Sequence, residues 1–185
     1  MLYTRKGDKG TTKVLNRKAG ERVSKDSCQT NALGDIDELN SFLGFVKIRA
    51  AGNKLTVSGK NYRDIIHDIQ EALFIVQAEI AGADKRLSKK KVAEAEGLIE
   101  KIEKKLPPMK TFFISGGIER AALLDFARTV CRRAERSMVS ARESGDIKVG
   151  STTLAYLNRL SSLLYALARF ANYNAGIKEE PPSYK

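Results

Sequence analysis

Four arginines within nine residues are the strongest candidate for chemistry in this sequence. They lie in the run Arg128–Arg136, which reads Arg-Thr-Val-Cys-Arg-Arg-Ala-Glu-Arg. At 100° per residue, Arg128, Arg132 and Arg136 share one face of a helix. Glu135 lies between them, and an apolar stripe beside them allows the helix to be buried on one side. The run therefore suits binding of a polyanion, or equally a solvated basic face with ion pairs along the helix.

A second candidate is the polar N-terminal segment, which is rich in glycine, lysine and hydroxyl residues. Such loops hold phosphate oxygens, because glycine lets backbone N–H groups approach closely and lysine supplies positive charge. The segment is not a Walker A loop, since the Gly-Lys-Ser/Thr ending is missing and no strand precedes it. An exposed polar terminus explains the composition equally well. The residues concerned are Thr4, Arg5, Lys6, Gly7, Asp8, Lys9, Gly10, Thr11 and Thr12.

Three further positions are candidates for the walls of a site. Asp37 belongs to a polar stripe on the first predicted helix and is expected to be solvated or to pair with an arginine of another helix or subunit. The segment 111–117 ends in paired glycines and is expected to deliver Phe112 to the core or to a pocket. Asn158 lies at the edge of a leucine stripe and, if buried, needs a hydrogen-bond partner from a ligand or a neighbouring helix.

The sequence argues against two other kinds of site. His67 is the only histidine, no nucleophile lies near it in the sequence, and we expect it on a helix face. The Glu-x-x-His pairs of a ferritin-like metal bundle are absent. Cys28 and Cys131 match no metal-binding spacing and are expected to be reduced core thiols.

Composition limits the class of protein and of partner. The chain has 185 residues, of which 42% are apolar, and a net charge of +11. These values suit one domain whose partner is nucleic acid, an acidic membrane surface or a phosphorylated small molecule. No segment approaches about 18 uninterrupted apolar residues and the first residues contain no secretory signal, so we expect a cytoplasmic protein without a membrane span. Aromatic residues are not interleaved with the basic clusters, which makes nucleic acid the less favoured partner.

Helical periodicity predicts the elements that position these residues. Apolar residues recur at three- and four-residue spacing through five segments, and period-two alternation never lasts more than a few residues. Short connections favour antiparallel neighbours, so we predict an all-α, five-helix bundle with ferritin-like up-down packing and a single domain over 1–185. An arm over 1–24 precedes the bundle at 26–174, and a mobile tail covers 175–185. The predicted helices are 26–50, ended by Ala51–Asn53, and 61–83, 88–106, 118–144 and 151–174.

The order of the motifs along the chain is more specific than any one of them. Thr-x-x-Gly-Asp-x-Gly-x-Thr is followed by Ile-Asp-Glu-Leu-Asn-Ser and by Phe-x-x-x-Gly-Gly. Ala-Arg-Thr-x-x-Arg-Arg-Ala-Glu-Arg and Asn-Arg-Leu-Ser then complete the series. From Tyr3 to about Asn172, the chain closely resembles the PduO-type ATP:cob(I)alamin adenosyltransferases.

The resemblance implies a fold, a reaction and partners. Members of this family are five-helix bundles that assemble as homotrimers, with active sites between subunits. They bind ATP with Mg²⁺, transfer its 5′-deoxyadenosyl group to the cobalt of cob(I)alamin and release triphosphate. Because cob(I)alamin is itself the nucleophile, the protein need not supply serine, cysteine or histidine. A reductase that supplies electrons is a further implied partner.

The resemblance also implies roles for individual residues. Asp37 and Arg128 resemble a pair that meets across the subunit interface beside the corrinoid. Phe112 resembles the aromatic residue that helps to displace the lower axial ligand of the corrinoid. Arg132 joins these three as a catalytic candidate, and no protein ligand for a metal is assigned, because Mg²⁺ is expected on the ATP phosphates. The ATP-binding residues implied are the arm Thr4–Thr12, Lys25, Arg132, Glu135, Arg136 and Asn158.

Two positions depart from the family's pattern. Ser115 stands where proline commonly precedes the paired glycines, and Ser162 stands where aspartate commonly follows Asn-Arg-Leu-Ser. The first change is expected to loosen the loop that carries Phe112, and the second removes a charge near the nucleotide or the interface. Two alternatives to the enzyme stay open: a basic helical nucleic-acid-binding module, and a corrinoid-binding or chaperone protein without catalysis.

Overall fold

Five helices account for most of the described chain, as the sequence predicts. In a computed structural model, the structure describes residues 3–15, 18, 20–49 and 56–185. The first helix begins two residues later than predicted, and its predicted end at Ala51–Asn53 lies outside the described residues, as do residues 1, 2, 16, 17 and 19 of the arm. The helices are α1 (Cys28–Arg49), α2 (Tyr62–Ile80), α3 (Lys89–Glu103), α4 (Glu119–Glu143) and α5 (Ser151–Asn174).

Local chemistry explains where α2 begins and ends. The Asn61 side chain caps α2 by accepting a hydrogen bond from the backbone N–H of Asp64 at 2.9 Å. The same helix stops before the predicted residue 83, because Gly82 adopts a φ of +89° that a helix does not allow. Ser88 takes the predicted capping position of α3, but its side chain makes no capping hydrogen bond.

Four of the helices form an antiparallel bundle and α3 packs against its outside. α1 packs against α2 and α4, α4 also packs against α5, and α3 packs against α5. Gln29 at the start of α1 donates to the carbonyl of Ile80 at the end of α2, at 2.8 Å. Tyr62 at the start of α2 donates to the carbonyl of Leu167 near the end of α5, at 2.9 Å. These contacts fix the antiparallel order from α2 to α1 and from α2 to α5.

The core is the continuous apolar interior between these helices. Leu39, Leu73, Leu124 and Leu157, from four different helices, are each 0% exposed. Burial of such side chains is the main favourable contribution to folding. Cys131 is buried in this core and Cys28 is half-buried, both as free thiols. His67 is exposed on α2, as predicted.

Two short hairpins were not predicted, because strands of two residues carry no readable alternation. β1 (Thr11–Thr12) pairs with β2 (Val23–Ser24), and β3 (Thr56–Val57) pairs with β4 (Lys60–Asn61). The first hairpin belongs to the arm, which also contacts the bundle where Leu15 donates to the carbonyl of Ala81 at 3.1 Å. Among the described helices, none has the length and apolar character needed to cross a membrane.

Candidate active site

The basic run of α4 contributes two exposed arginines to a pocket between α4 and α5. Arg132 and Arg136 have no acidic ion-pair partner among the described residues. Arg136 donates to the backbone carbonyl of Arg132 at 3.1 Å, which holds its guanidinium along the helix. The pocket has a volume of about 320 Å³, and we call it the α4–α5 pocket; it is lined by Arg132, Glu135, Arg136, Val139 and Asn158. The structure thus brings four of the predicted ATP-binding residues together.

The adjacent arginine of the same run is bound to acidic side chains. Arg133 lies 3.3 Å from Asp35 and forms a second, short ion pair with Glu38, both on α1. The hydrogen bond with Glu38 raises the pKa of the Arg133 guanidinium. Ser137, one turn along, donates a short hydrogen bond to Asp35. Arg133 therefore joins α4 to α1 and leaves less positive charge for a ligand than the sequence indicates.

Asn158 is exposed, and both ends of its carboxamide are hydrogen-bonded to side chains. Its Nδ2 donates to Glu135 at 3.1 Å, and its Oδ1 accepts from Arg159 at 2.8 Å. Arg159 in turn donates to Glu96 of α3 at 2.8 Å. The sequence analysis missed Arg159 and Glu96, because a pairing between α3 and α5 leaves no local signal. These contacts orient Asn158 at the edge of the α4–α5 pocket.

The arm forms a compact, positively charged loop. A side-chain carbon at Gly7 would lie 3.2 Å from the Lys25 ammonium, so Lys25 reaches across the arm beside Gly7. The backbone N–H of Lys25 donates to Gly10, whose φ is +75°. Arg22 donates to the Thr11 hydroxyl at 2.8 Å and to its carbonyl at 2.7 Å. This geometry places Lys25 beside the arm. The Thr11 hydroxyl, however, is already bonded to Arg22, a residue that was not predicted.

The arm and the α4–α5 pocket are two separate groups of residues within one chain. Among the described residues, no hydrogen bond or ion pair joins the segment 3–12 or Lys25 to Arg132, Arg136 or Asn158. Lys6 and Lys9 are exposed and have no ion-pair partner in the described parts of the chain. The predicted ATP-binding residues thus fall into two cationic halves.

Asp37 and Arg128 do not pair with each other in this structure. Asp37 is exposed and accepts a hydrogen bond from Gln77 at 3.3 Å. The Arg128 guanidinium lies 3.5 Å from Asp125 on its own helix and 5.7 Å from the centre of the Tyr165 ring. Burial raises the pKa of Asp125, which the neighbouring Arg128 charge opposes. Each of the two predicted partners is therefore held by its own chain.

Phe112 is 73% exposed, which excludes the first of its two expected places, the core of this chain, and leaves the second, a pocket. Its loop is nevertheless anchored next to it. Asn172 of α5 donates to the Gly116 carbonyl at 2.9 Å and accepts from the Ile118 N–H at 3.1 Å. Gly117 has a φ of +94°, and a side chain there would clash with the Asn172 carboxamide. Asn172 is a further residue that the sequence analysis missed.

The last residues of the chain also hold this loop. Arg169 lies 5.1 Å from the centre of the Phe113 ring and forms an ion pair with Glu179 at 2.9 Å. The N–H of Ile114 donates to the Glu180 carbonyl at 2.9 Å. The expectation of a mobile tail over 175–185 did not include these contacts.

Comparison with known proteins identifies the family. Residues 2–171 match the cobalamin adenosyltransferase family model. The chain is 37% identical over 181 residues to the corrinoid adenosyltransferase PduO of Citrobacter freundii, covering 94% of this chain and 50% of that protein. It is also 37% identical over 183 residues to a Bacillus subtilis corrinoid adenosyltransferase, covering 95% of this chain and 89% of the relative.

A solved structure gives the same assignment. A phenylalanine-to-histidine variant of a PduO-type ATP:corrinoid adenosyltransferase from Lactobacillus reuteri, complexed with cobalamin and ATP, matches with a TM-score of 0.86 and 27% identity. The match covers 99% of this chain and 97% of that one. The chain spans about half the length of the curated PduO relatives from Citrobacter and Salmonella. The model match and the identity over nearly the full chain place this protein in the cobalamin adenosyltransferase family.

Proposed function

We propose that this chain transfers the 5′-deoxyadenosyl group of ATP to the cobalt of cob(I)alamin and releases triphosphate. The observation that carries the proposal is the α4–α5 pocket. There Arg132 and Arg136 present two guanidinium groups without acidic partners in the described chain, beside an amide and a carboxylate suited to a nucleoside. Its relatives are corrinoid adenosyltransferases, which supports the same reaction.

The pocket suits the charge that develops in this reaction. The cobalt of cob(I)alamin attacks C5′ with its electron pair, the cobalt–carbon bond forms, and the C5′–O bond breaks. The electrons of that bond leave with triphosphate, whose negative charge increases in the transition state. Preorganised cations lower the barrier to such a step, and Arg132 and Arg136 are placed to do this. Asn158, held by Glu135 and Arg159, is our candidate for contact with the adenosine.

The arm would hold the phosphates from the other side. Glycines at 7 and 10 allow close approach of the backbone, and Lys6, Lys9 and Lys25 supply positive charge. Thr4 and Thr12 offer hydroxyl groups, whereas the Thr11 hydroxyl is already bonded to Arg22. The arm thus complements the α4–α5 pocket as the second half of the ATP site.

Magnesium would be bound through the nucleotide. Among the described residues, no three histidine, cysteine, aspartate or glutamate side chains converge into a metal site. Mg²⁺ keeps several waters and is commonly held by substrate phosphates with one or two carboxylates. An ion that arrives with ATP therefore needs no such cluster of protein ligands. When bound, Mg²⁺ would neutralise part of the triphosphate charge.

We further propose that the active enzyme is a homotrimer with sites between subunits. The two cationic halves of the ATP site have no mutual contact among the described residues of one chain, which supports completion of the site by a second copy. Asp37 is exposed and available to the partially exposed Arg128 of a neighbouring subunit. An exposed aromatic cluster is a further candidate for the subunit contact. The ring centres of Phe126 in α4 and Phe42 are 4.9 Å apart, and Phe45 is 44% exposed.

Phe112 would contact the corrinoid in such a site. A large aromatic side chain that is 73% exposed on an anchored loop is suited to cover an apolar surface of a ligand. Covering the lower face of the corrinoid would keep a strong axial ligand away from the cobalt. That change favours reduction to Co(I), for which a cytoplasmic reductase would supply the electron.

The decisive experiment follows the cob(I)alamin spectrum under anaerobic conditions after the protein is mixed with ATP, Mg²⁺ and chemically reduced cobalamin. We expect loss of the cob(I) absorbance and appearance of the adenosylcobalamin spectrum, with release of triphosphate. If no cobalt–carbon bond forms, the enzyme proposal is wrong. The nucleic-acid alternative predicts instead DNA affinity that falls steeply with salt and no preference for ATP.

A further inference from the structure

Three consecutive residues at the end of α2 each hold a different part of the chain. The Glu79 side chain accepts hydrogen bonds from the start of α5. The Ile80 carbonyl accepts from the first turn of α1, and the Ala81 carbonyl accepts from the arm. We call residues 79–81 the α2 end. The arm, α1 and α5 are therefore all attached to one short segment.

The Glu79 side chain is buried, and both of its carboxylate oxygens are hydrogen-bonded. Oε1 accepts from the Gly150 N–H at 2.7 Å, and Oε2 accepts from the Thr153 hydroxyl at 2.6 Å. The Arg86 guanidinium lies 3.7 Å from Oε1 and supplies a compensating charge. A buried carboxylate is costly unless it is paired and hydrogen-bonded, and Glu79 meets both conditions.

The helix that Glu79 holds begins without a side-chain cap of its own. Gly150 is the capping position of α5 and has no side chain, whereas a serine or threonine there would begin the helix locally. Glu79 supplies the acceptors instead, from another helix 71 residues earlier in the sequence. The helix dipole also favours a carboxylate at this end. A local cap only begins a helix, but an acceptor on α2 also fixes where α5 lies along its axis.

The first turn of α5 leads directly to the candidate adenosine contact. Asn158 lies five residues beyond Thr153, about 7.5 Å along the same helix. Because a helix is a rigid element, a shift of its first turn moves the Asn158 carboxamide relative to the α4–α5 pocket. The opposite wall of this pocket is on α4, which Arg133 joins to α1, and α1 is itself attached to the α2 end. Both walls of the pocket are thus positioned from the same segment.

We propose that Glu79 is a positioning residue for ATP, which places Asn158 opposite Arg132 by holding the first turn of α5. The inference rests on the proposed function, in which Asn158 contacts the adenosine and the two arginines of the pocket contact the phosphates. Glu79 itself contacts neither ATP nor the corrinoid. Its loss should therefore weaken recognition of the nucleoside and leave recognition of the phosphates almost unchanged.

Two ligands, ATP and inorganic triphosphate, test this role by isothermal titration calorimetry of the full chain with Mg²⁺. In Glu79→Ala, the dissociation constant for ATP should rise about tenfold, whereas that for triphosphate should stay within about twofold of the parent chain. Glu79→Gln should stay within about threefold for both ligands, because its amide accepts from Gly150 and donates to the Thr153 hydroxyl. Unchanged ATP affinity in Glu79→Ala, or an equal loss for both ligands, would refute the positioning role.

A control variant separates position from stability. Tyr62→Phe removes a buried hydrogen bond to the other end of α5, so it should lower the melting temperature. Its dissociation constant for ATP should stay within about twofold of the parent chain, because the first turn of α5 is untouched. If Tyr62→Phe weakens ATP as much as Glu79→Ala does, the effect is general destabilisation and the proposal is wrong.

A second pair of variants decides the matter if Glu79→Ala does not fold. Thr153→Val removes one of the two contacts and should weaken ATP about threefold. Thr152→Val is the matched control, because the Thr152 hydroxyl is not hydrogen-bonded to Glu79, and it should have no effect. Equal ATP affinities in these two variants would contradict the proposal. A parent chain that binds ATP but forms no adenosylcobalamin would instead contradict the proposed reaction and leave the role of Glu79 to these affinities.

Discussion

Two adjacent residues of α4 have opposite surroundings. The Arg132 guanidinium is exposed at the α4–α5 pocket without an acidic partner among the described residues. The Arg133 guanidinium, 100° around the helix, is bound by two carboxylates of α1. The same residue type thus serves as a free cation on one face and as a link between helices on the other. The comparison shows that a basic run must be divided by its tertiary neighbours before function is assigned to it.

The largest test of this comparison is Arg132→Ala. Loss of a preorganised donor that stabilises the leaving triphosphate should cost on the order of 2–4 kcal/mol in kcat/KM. The melting temperature should change little, because the side chain makes no ion pair within the described chain. Steady-state kinetics with ATP and cob(I)alamin, together with thermal melts, measure both quantities. Unchanged kinetics would remove Arg132 from the mechanism.

Asp37→Ala sharpens the comparison, because it tests whether the exposed Asp37 carboxylate completes the site of a neighbouring subunit. If Asp37 pairs with Arg128 across an interface, kcat/KM should fall by the equivalent of about 1–3 kcal/mol. The assembly should also weaken in sedimentation experiments. The double exchange Asp37→Arg with Arg128→Asp should then recover part of both losses. If the exchange recovers neither, a simple cross-subunit pair is wrong. Arg128 also faces Asp125, so the exchange is compared with Arg128→Asp alone.

Asn172→Ala tests a residue that acts on the site from the end of α5. Removal of its carboxamide leaves the Gly116 carbonyl and the Ile118 N–H without their partner. The free energy of unfolding should fall by about 1–2 kcal/mol. Turnover should fall along with it, because the Phe112 loop loses its anchor. Asn174→Ala, two residues on, is the matched control, since Asn174 bonds only its own helix. Equal effects in the two variants would contradict the anchor.

Arg133→Ala is expected to have the smallest effect and completes the comparison. The ion pairs with Asp35 and Glu38 are partly exposed, so their loss should lower the free energy of unfolding by less than about 1 kcal/mol. kcat/KM should stay within about threefold of the parent enzyme. Urea unfolding and kinetics on the same preparation check this. A loss of activity as large as that of Arg132→Ala would show that the two faces do not differ in function.

Much of the fold was readable from the sequence because helical periodicity is a local signal. The predicted range 151–174 agrees with α5, and the other described helix ends agree within three residues, including the end of α2 before Gly82. The hairpin around Ser58 and Gly59 was not readable. Its turn uses positive φ at both residues, but two-residue strands give no pattern to accompany it.

The candidate site was readable only in part. Arg132, Glu135, Arg136 and Asn158 were identified from motif and spacing, and the structure brings them to one pocket. The pairing of Arg133, the Arg159 link to Glu96 and the Asn172 anchor are contacts between distant segments, and spacing along one helix does not encode them. Spacing likewise does not show that Phe112 is exposed, because its exposure depends on whether distant segments of the chain pack against it.

The contact of the chain's final segment with the aromatic loop has a practical consequence. Ile114 bonds to Glu180, and Arg169 bridges Phe113 and Glu179. Shortening the protein after Gly176 would release that loop while leaving the residues of all five helices in place. A preparation trimmed in this way would also lose the ion pair of Arg169, which is 8% exposed, and under the proposed function it would bind the corrinoid poorly. A purification tag that replaces residues 177–185 would therefore remove these contacts.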